Sequence, residues 1–118
     1  MSSSILNDIK KLLGIDEAYE AFDTDIRIHI NSAFTTLAQL GVGPPGGFVI
    51  TGKDETWSVF IPDAIKMESI KSYIYIKVRL LFDPPTNSFL VDSLNAQAKE
   101  YEWRLHVQAA NTSQEGVP

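Results

Sequence analysis

Metal binding, phosphate binding and acid–base catalysis each need particular side chains at particular spacings. The chain holds two histidines, His29 and His106, and no cysteine. The histidines fall on different expected helices with no second ligand one turn away, so neither begins a metal site. His29 sits beside Arg27 on the polar side of its helix. Without cysteine there are no thiolate zinc sites, disulfides or cysteine nucleophiles. Glu100 and Glu102 point to different sides of a helix and form no acid–base pair. Serines occur, but none in the strand–turn–helix setting of a nucleophile elbow. Gly41, Gly43, Gly46 and Gly47 cluster, yet Pro44 and Pro45 interrupt them and no Lys-Ser or Lys-Thr follows, so a phosphate-cradling loop is not supported. The acidic run Asp16, Glu17, Glu20, Asp23 and Asp25 lacks the register and closing bidentate glutamate of a calcium loop. It reads as a solvated connector that caps the next helix. These residues predict no catalytic site, no metal and no cofactor.

The elements that carry them are helical. The chain is organised around Pro62–Pro85, its longest apolar-rich run, bounded by proline on both sides. Pro62 suits a first helical turn, where a missing N–H costs nothing. Asp63 and Glu68 stand near the end that the helix dipole favours for acids, with Lys77 and Arg79 toward the other. Asp83 precedes Pro84, which stops the helix near Phe82. Such a helix spans roughly 30 Å. Ile74, Ile76, Val78 and Leu80 also alternate with polar or amphipathic residues, which is a strand pattern. Length decides for helix: Met67, Ile70, Ile74, Val78 and Leu81 recur at spacings of three and four, widened by Tyr73, Ile76 and Leu80, a stripe wide enough to be packed on two sides.

Ser2 to Ser4 can cap a short first helix, Ile5 to Leu13, with Gly14 beyond its end. A second helix runs from about Thr24 to Leu40, capped by Asp23 or Thr24, with Phe22, Ile26, Ile30, Phe34, Leu37 and Leu40 on its apolar face. Gly41 ends it, and VGPPGG at 42–47 is the strongest breaker in the chain. Phe48 to Ile61 has two readings. Phe48-Val49-Ile50 and Thr56 to Ile61 can pair as a short β-hairpin about Gly52-Lys53-Asp54, or Thr56 can cap one helical turn holding Trp57 and Phe60. Trp57 reads first as a core residue and second as a partner anchor. After the DPPTNS corner, Thr86 or Asn87 caps a last helix running to about Ala110, with Leu90, Leu94, Ala98, Tyr101 and Leu105 on one face and Trp103 on another. Residues 111–118 are polar and are expected to be a flexible tail.

The expected architecture is therefore mainly α. About four helices form a small bundle with a long antiparallel helical hairpin, Pro62 to Ala110, and a loop or short β-hairpin inserted at 42–61. Residues 1–110 make a single domain. With 118 residues and 44% hydrophobic composition the chain can bury one modest core. No run of eighteen apolar residues exists, so no membrane span is expected, and MSSSILNDIKK has no secretory pattern. The formal charge is -5, and Lys10-Lys11 is the only adjacent basic pair. That excludes a free-standing nucleic-acid binder, which needs a basic face.

The order of segments resembles the small helical head-to-tail connector (adaptor) proteins of tailed bacteriophages. The resemblance is carried by LLGID (12–16) and the acidic connector, the helix 25–40 with the QLGVGPPGGF corner (39–48), and the Trp-containing stretch 55–61. SYIYIKVRLLFDPPTNSFL (72–90) leading into EYEWRL (100–105) is its most specific part. It covers nearly all of the chain except the tail. It implies a structural, non-catalytic virion protein at the head–tail interface, present in the host cytoplasm during assembly. Such connectors form a ring of about a dozen copies, a dodecamer, by cyclic head-to-tail contacts below the portal. They extend the DNA channel and offer a platform to neck, stopper or tail proteins. The partners implied are further copies of the chain, the portal protein and the downstream protein, with DNA passing non-specifically and no membrane. On that reading Phe48, Ile50, Trp57, Phe60 and Trp103 are candidates for intersubunit contact, and Val107, Asn111, Gln114 and Val117 for portal docking. The competing reading is a small non-catalytic acidic helical regulator or protein-binding module, supported by the acidic run 16–25.

Overall fold

The computed structural model describes residues 3–61 and 64–115, and within them the chain forms five helices and no strand: α1 (Ile5–Leu12), α2 (Asp23–Gln39), α3 (Trp57–Phe60), α4 (Ala64–Phe82) and α5 (Ser88–Glu115). α1 begins as its sequence dictates. Ser4 is extended, and its hydroxyl accepts the Asn7 N–H at 3.3 Å. α2 begins differently from expectation. Its N-cap is Phe22, with no side-chain cap bond, and Asp23 is already helical. The Asp23 carboxylate is engaged elsewhere: Lys10 Nζ lies 2.8 Å from it.

α4 is helical across the stretch that could have been a strand. Pro62 and Asp63, expected to open it, lie outside the described residues. Ile70, Tyr73, Ile74, Ile76 and Val78 are buried, a stripe too wide for one neighbour. α4 accordingly packs between α2 and α5, and α1 lies against α2 and α4. α2 and α4 run antiparallel, since the Phe22 ring at the start of one meets Phe82 at the end of the other, 5.2 Å between centroids. Leu81, placed inside by periodicity, is exposed.

α5 is capped by Asn87, whose Oδ1 accepts the Phe89 N–H at 2.8 Å. Its 28 residues span about 42 Å. Ala98 and Leu105 are buried against the bundle and Leu94 and Tyr101 pack beside them, whereas Leu90 is half exposed. The helix passes Ala110 and continues to Glu115. No glycine or proline intervenes before Gly116, and an elongating helix adds a hydrogen bond per residue until a breaker stops it. The expected tail therefore begins as helix as far as residue 115.

The 48–61 segment forms no β-hairpin. Its backbone groups find other partners. Asn31 clamps Ile50 from both sides, Nδ2 donating to the carbonyl at 2.9 Å and Oδ1 accepting the N–H at 2.7 Å. The Glu55 carboxylate accepts the Thr51 N–H at 2.8 Å and the Thr51 hydroxyl at 2.7 Å. The residues before Trp57 pair with the N-terminus instead: Ile5 N–H donates to Glu55 O at 3.1 Å, and Ser4 and Thr56 form an isolated antiparallel bridge. The second reading of the segment is the one observed, a single helical turn entered at Thr56, although the Thr56 side chain makes no cap bond.

Partial burial would raise the Glu55 pKa, but the hydrogen bonds from Thr51 and Gly52 outweigh it and hold the carboxyl below its ordinary value. A carboxyl lowered on folding stabilises the folded state above its unfolded pKa, and that contribution is lost as pH falls through the folded value. The Thr51 and Gly52 amides are expected to lose protection relative to the core amides as acid protonates the Glu55 carboxyl. NMR hydrogen exchange measures this, and equal protection at pH 6 and pH 3 would contradict it.

The corner after α2 is tied to an aromatic cluster. Phe34, Phe48 and Phe60 meet in pairs with centroids 4.7 to 5.3 Å apart. Gly43 lies against this cluster at φ +97, and a Cβ there would come within 2.5 Å of Phe60 Cε1. Gly43→Ala is expected to lower unfolding stability by about 1–3 kcal/mol through clash and backbone strain. Gly46→Ala shares the positive φ but meets no atom within 4 Å, so comparing the two urea midpoints separates contact from backbone conformation.

Candidate functional site

The clusters of polar side chains inside the fold hold elements together. Lys10 is 1% exposed. Its Nζ donates to Glu17 O at 2.9 Å and pairs with Asp23, fastening the acidic connector to α1 and α2. Asp8 Oδ2 accepts the Trp57 indole N–H at 2.8 Å, lies 3.5 Å from Lys71 Nζ and accepts from the Ser3 hydroxyl. Lys71 also stands over the Trp57 ring. The Tyr73 hydroxyl donates to Glu102 Oε2 at 2.7 Å, linking α4 to α5. Burial, and then the Glu102 carboxylate, push the Tyr73 phenol above its ordinary pKa, so it stays a proton donor. Each cluster joins two or more elements.

His106 Nδ1 lies 3.2 Å from Leu40 O, at the meeting of α5 with the end of α2. His29 is on α2, apart from it. Among the described residues no group of three or more His, Cys, Asp or Glu could hold a metal ion. Among them too, no helix is long and apolar enough to cross a membrane.

What the surface offers is apolar contact. At one end of the bundle, Tyr19 packs on Phe22 (5.6 Å) and Phe22 on Phe82. Tyr19, Phe22 and Leu81 remain 41–57% exposed. Phe89 and Leu90, in the first turn of α5 across the short corner from the end of α4, are exposed at the same end. The second surface is the outer side of α5, where Trp103 is 67% exposed. Trp103 is two residues from buried Leu105, and two residues on a helix turn through about 200°, so the indole points away from the bundle.

The sequence candidates divide on this map. Trp57, Ile50 and Phe60 are 0–4% exposed and belong to the subunit's own core, and Phe48 is half-buried on Phe34 and Phe60. The exposed apolar members of that segment are Val49 and Val59. Trp103 stands free on α5. Val107 is half-buried on the same helix, Asn111 and Gln114 lie on its last turns, and Val117 falls outside the described residues. The structure thus brings Phe48, Ile50, Trp57 and Phe60 toward one core and sets Trp103 and Val107 apart from them. The aromatic end at Tyr19, Phe22 and Phe82 escaped the sequence reading. Its signal was present, since Phe22 and Phe82 flank helix ends where no further turn can cover them.

A model of the phage connector protein family matches residues 5–112. No curated protein and no solved structure matches the chain.

Proposed function

We propose a function on one premise: the chain belongs to the phage connector protein family. Membership gives it a structural role in the phage particle at the connection of head and tail. The finer reading is ours. Copies of the chain close into a ring, of about a dozen by the resemblance, below the portal, extend the DNA channel and present a platform to a neck, stopper or tail protein. The protein performs no catalysis in this role. It resides in the virion, after a stage in the host cytoplasm during assembly.

The observation that carries this is the length of the family match, which takes in all five helices up to the last turn of α5. Several features support it. An acidic subunit, formal charge -5, repels the DNA backbone, so genome can pass without adhering. The molecule is elongated, 49 × 35 × 22 Å, with an aromatic end and a separate apolar helix face. Two unlike surfaces are what a heterologous, ring-closing contact requires. For contact between subunits we favour the outer face of α5 around Trp103 and the exposed edge of the 48–61 segment at Val49 and Val59. For the portal we favour the C-terminal end of α5, from Val107 through Asn111 and Gln114 toward Val117.

Deletion after Ala110 is expected to leave the helical domain folded, with circular dichroism and thermal midpoint close to the full chain, and to weaken binding to the cognate portal at least about tenfold, on the order of 1.4 kcal/mol. Undiminished binding by the truncated chain would remove the C-terminus from the docking surface.

A further inference from the structure

α5 carries a second apolar stripe that the bundle does not use. Phe89, Ala96 and Trp103 are spaced by seven, and all three are exposed, Phe89 at 76% and Trp103 at 67%. A seven-residue repeat keeps side chains near one line of a helix, drifting by only about 20° per heptad. The stripe lies opposite Ala98 and Leu105, which face α4. Exposed apolar residues aligned along one side of a helix can seat a second helix.

We propose that the free protein pairs with a second copy of itself through this face, α5 against α5, antiparallel across a two-fold axis at Ala96. The residue numbers are self-complementary in that register. Each Phe89 meets Trp103 of the second copy, and the two Ala96 residues face each other where the helices cross. Small residues at a crossing let backbones approach, and aromatic pairs gain beyond their area.

The charges select the same occupant. In an antiparallel two-fold pair each flank of the seam meets its own equivalent. One flank carries Asp92 and Lys99, so Asp92 of each copy reaches Lys99 of the other. The opposite flank carries Ser93 and Glu100, which also come together, and Glu100 is already paired with Arg104 of its own helix. Asp92, Lys99, Glu100 and Arg104 sum to zero charge on a chain whose total is -5. On this face two acidic molecules can meet without repulsion. Four aromatic side chains and their surroundings bury on the order of 1,000 Å² in total, at the lower bound of specific interfaces, so the pair is reversible with a dissociation constant in the micromolar range.

The pairing stands on α5 alone. One consequence rests on the ring reading: a two-fold contact closes at two copies, so a pair that covers Trp103 keeps free subunits from ring contacts on that face until the portal displaces it.

Sedimentation velocity of the full chain from about 5 to 500 μM tests the proposal, with acrylamide quenching of tryptophan read in parallel. Trp57 is fully buried, so the quenchable emission reports Trp103. The expected result is a monomer–dimer equilibrium in which Trp103 becomes protected as dimer forms. Asp92→Lys and Lys99→Asp should each raise the dissociation constant about tenfold, and the double exchange should restore it to within about twofold. Both substitutions are on the exposed helix surface and leave the core untouched. A chain that stays monomeric throughout overturns the proposal, and so does a dimer indifferent to the charge exchange. A closed ring in place of the dimer also overturns it, while supporting the connector function.

Discussion

Trp57→Ala is expected to lower the unfolding free energy by about 3–5 kcal/mol. Trp57 is fully buried, and its indole N–H is one of the groups that Asp8 accepts. Removing the ring empties the space between α1, α3 and α4 and takes the partner from under Lys71. Small domains are stable by only about 5–15 kcal/mol, so the variant should melt far below the parent or fail to accumulate. Trp57→Phe keeps most of the volume and loses the hydrogen bond, and should cost about 1–2 kcal/mol. Thermal and urea unfolding of the pair measure both. A Trp57→Ala protein that keeps its melting temperature but no longer assembles would return Trp57 to the subunit interface.

Lys10→Ala should cost about 2–4 kcal/mol. The lysine is buried with its ammonium between the Asp23 carboxylate and Glu17 O. Its loss leaves that carboxylate, 24% exposed, without its cation and frees the connector from α1. Partial exposure of Asp23 keeps the figure below that of a fully buried broken pair. Lys10→Met retains the apolar stem and should cost less than Lys10→Ala. The double variant Lys10→Met with Asp23→Leu should recover much of the loss, because replacing both charges removes the desolvation cost that each carries. Urea titrations of the parent, Lys10→Met, Asp23→Leu and the double variant form the cycle. If Lys10→Ala changes stability by less than about 0.5 kcal/mol, the pair is no more than a surface contact.

The sequence made the long elements legible because they are periodic. Ile26, Ile30, Phe34 and Leu37 mark one face of α2, and Ile70, Ile74 and Val78 mark α4. Periodicity also shows that α5 has an outer apolar edge at Trp103. It could not show the path of residues 48–56. That path is set by Asn31, some twenty residues away, and by Glu55, whose side chains stand in for a strand partner. Neither contact has a period. The burial of Lys10 left a trace that charge conceals: Leu6, Lys10 and Leu13 are spaced as one helix stripe, so a lysine occupies a core position. The N-cap of α2 misled for the same reason, because an aspartate suited to capping was claimed by that lysine. Helix α5 outran its expected end because Asn111, Thr112 and Ser113 are weak helix formers but no breaker precedes Gly116. The candidate surface residues were legible as apolar and only partly as exposed. Val49 and Val59 face outward where Ile50 and Phe60 face inward, a distinction set by the loop path and the single turn of α3.

Electron cryomicroscopy of DNA-filled heads from the cognate phage, lacking this protein and then supplied with it, reads head-to-tail connection itself. The expected result is a ring of added density directly below the portal, into which the five-helix subunit fits, with DNA retained in the heads. A folded chain that leaves the portal vertex unchanged, at concentrations well above those of the heads, would contradict it.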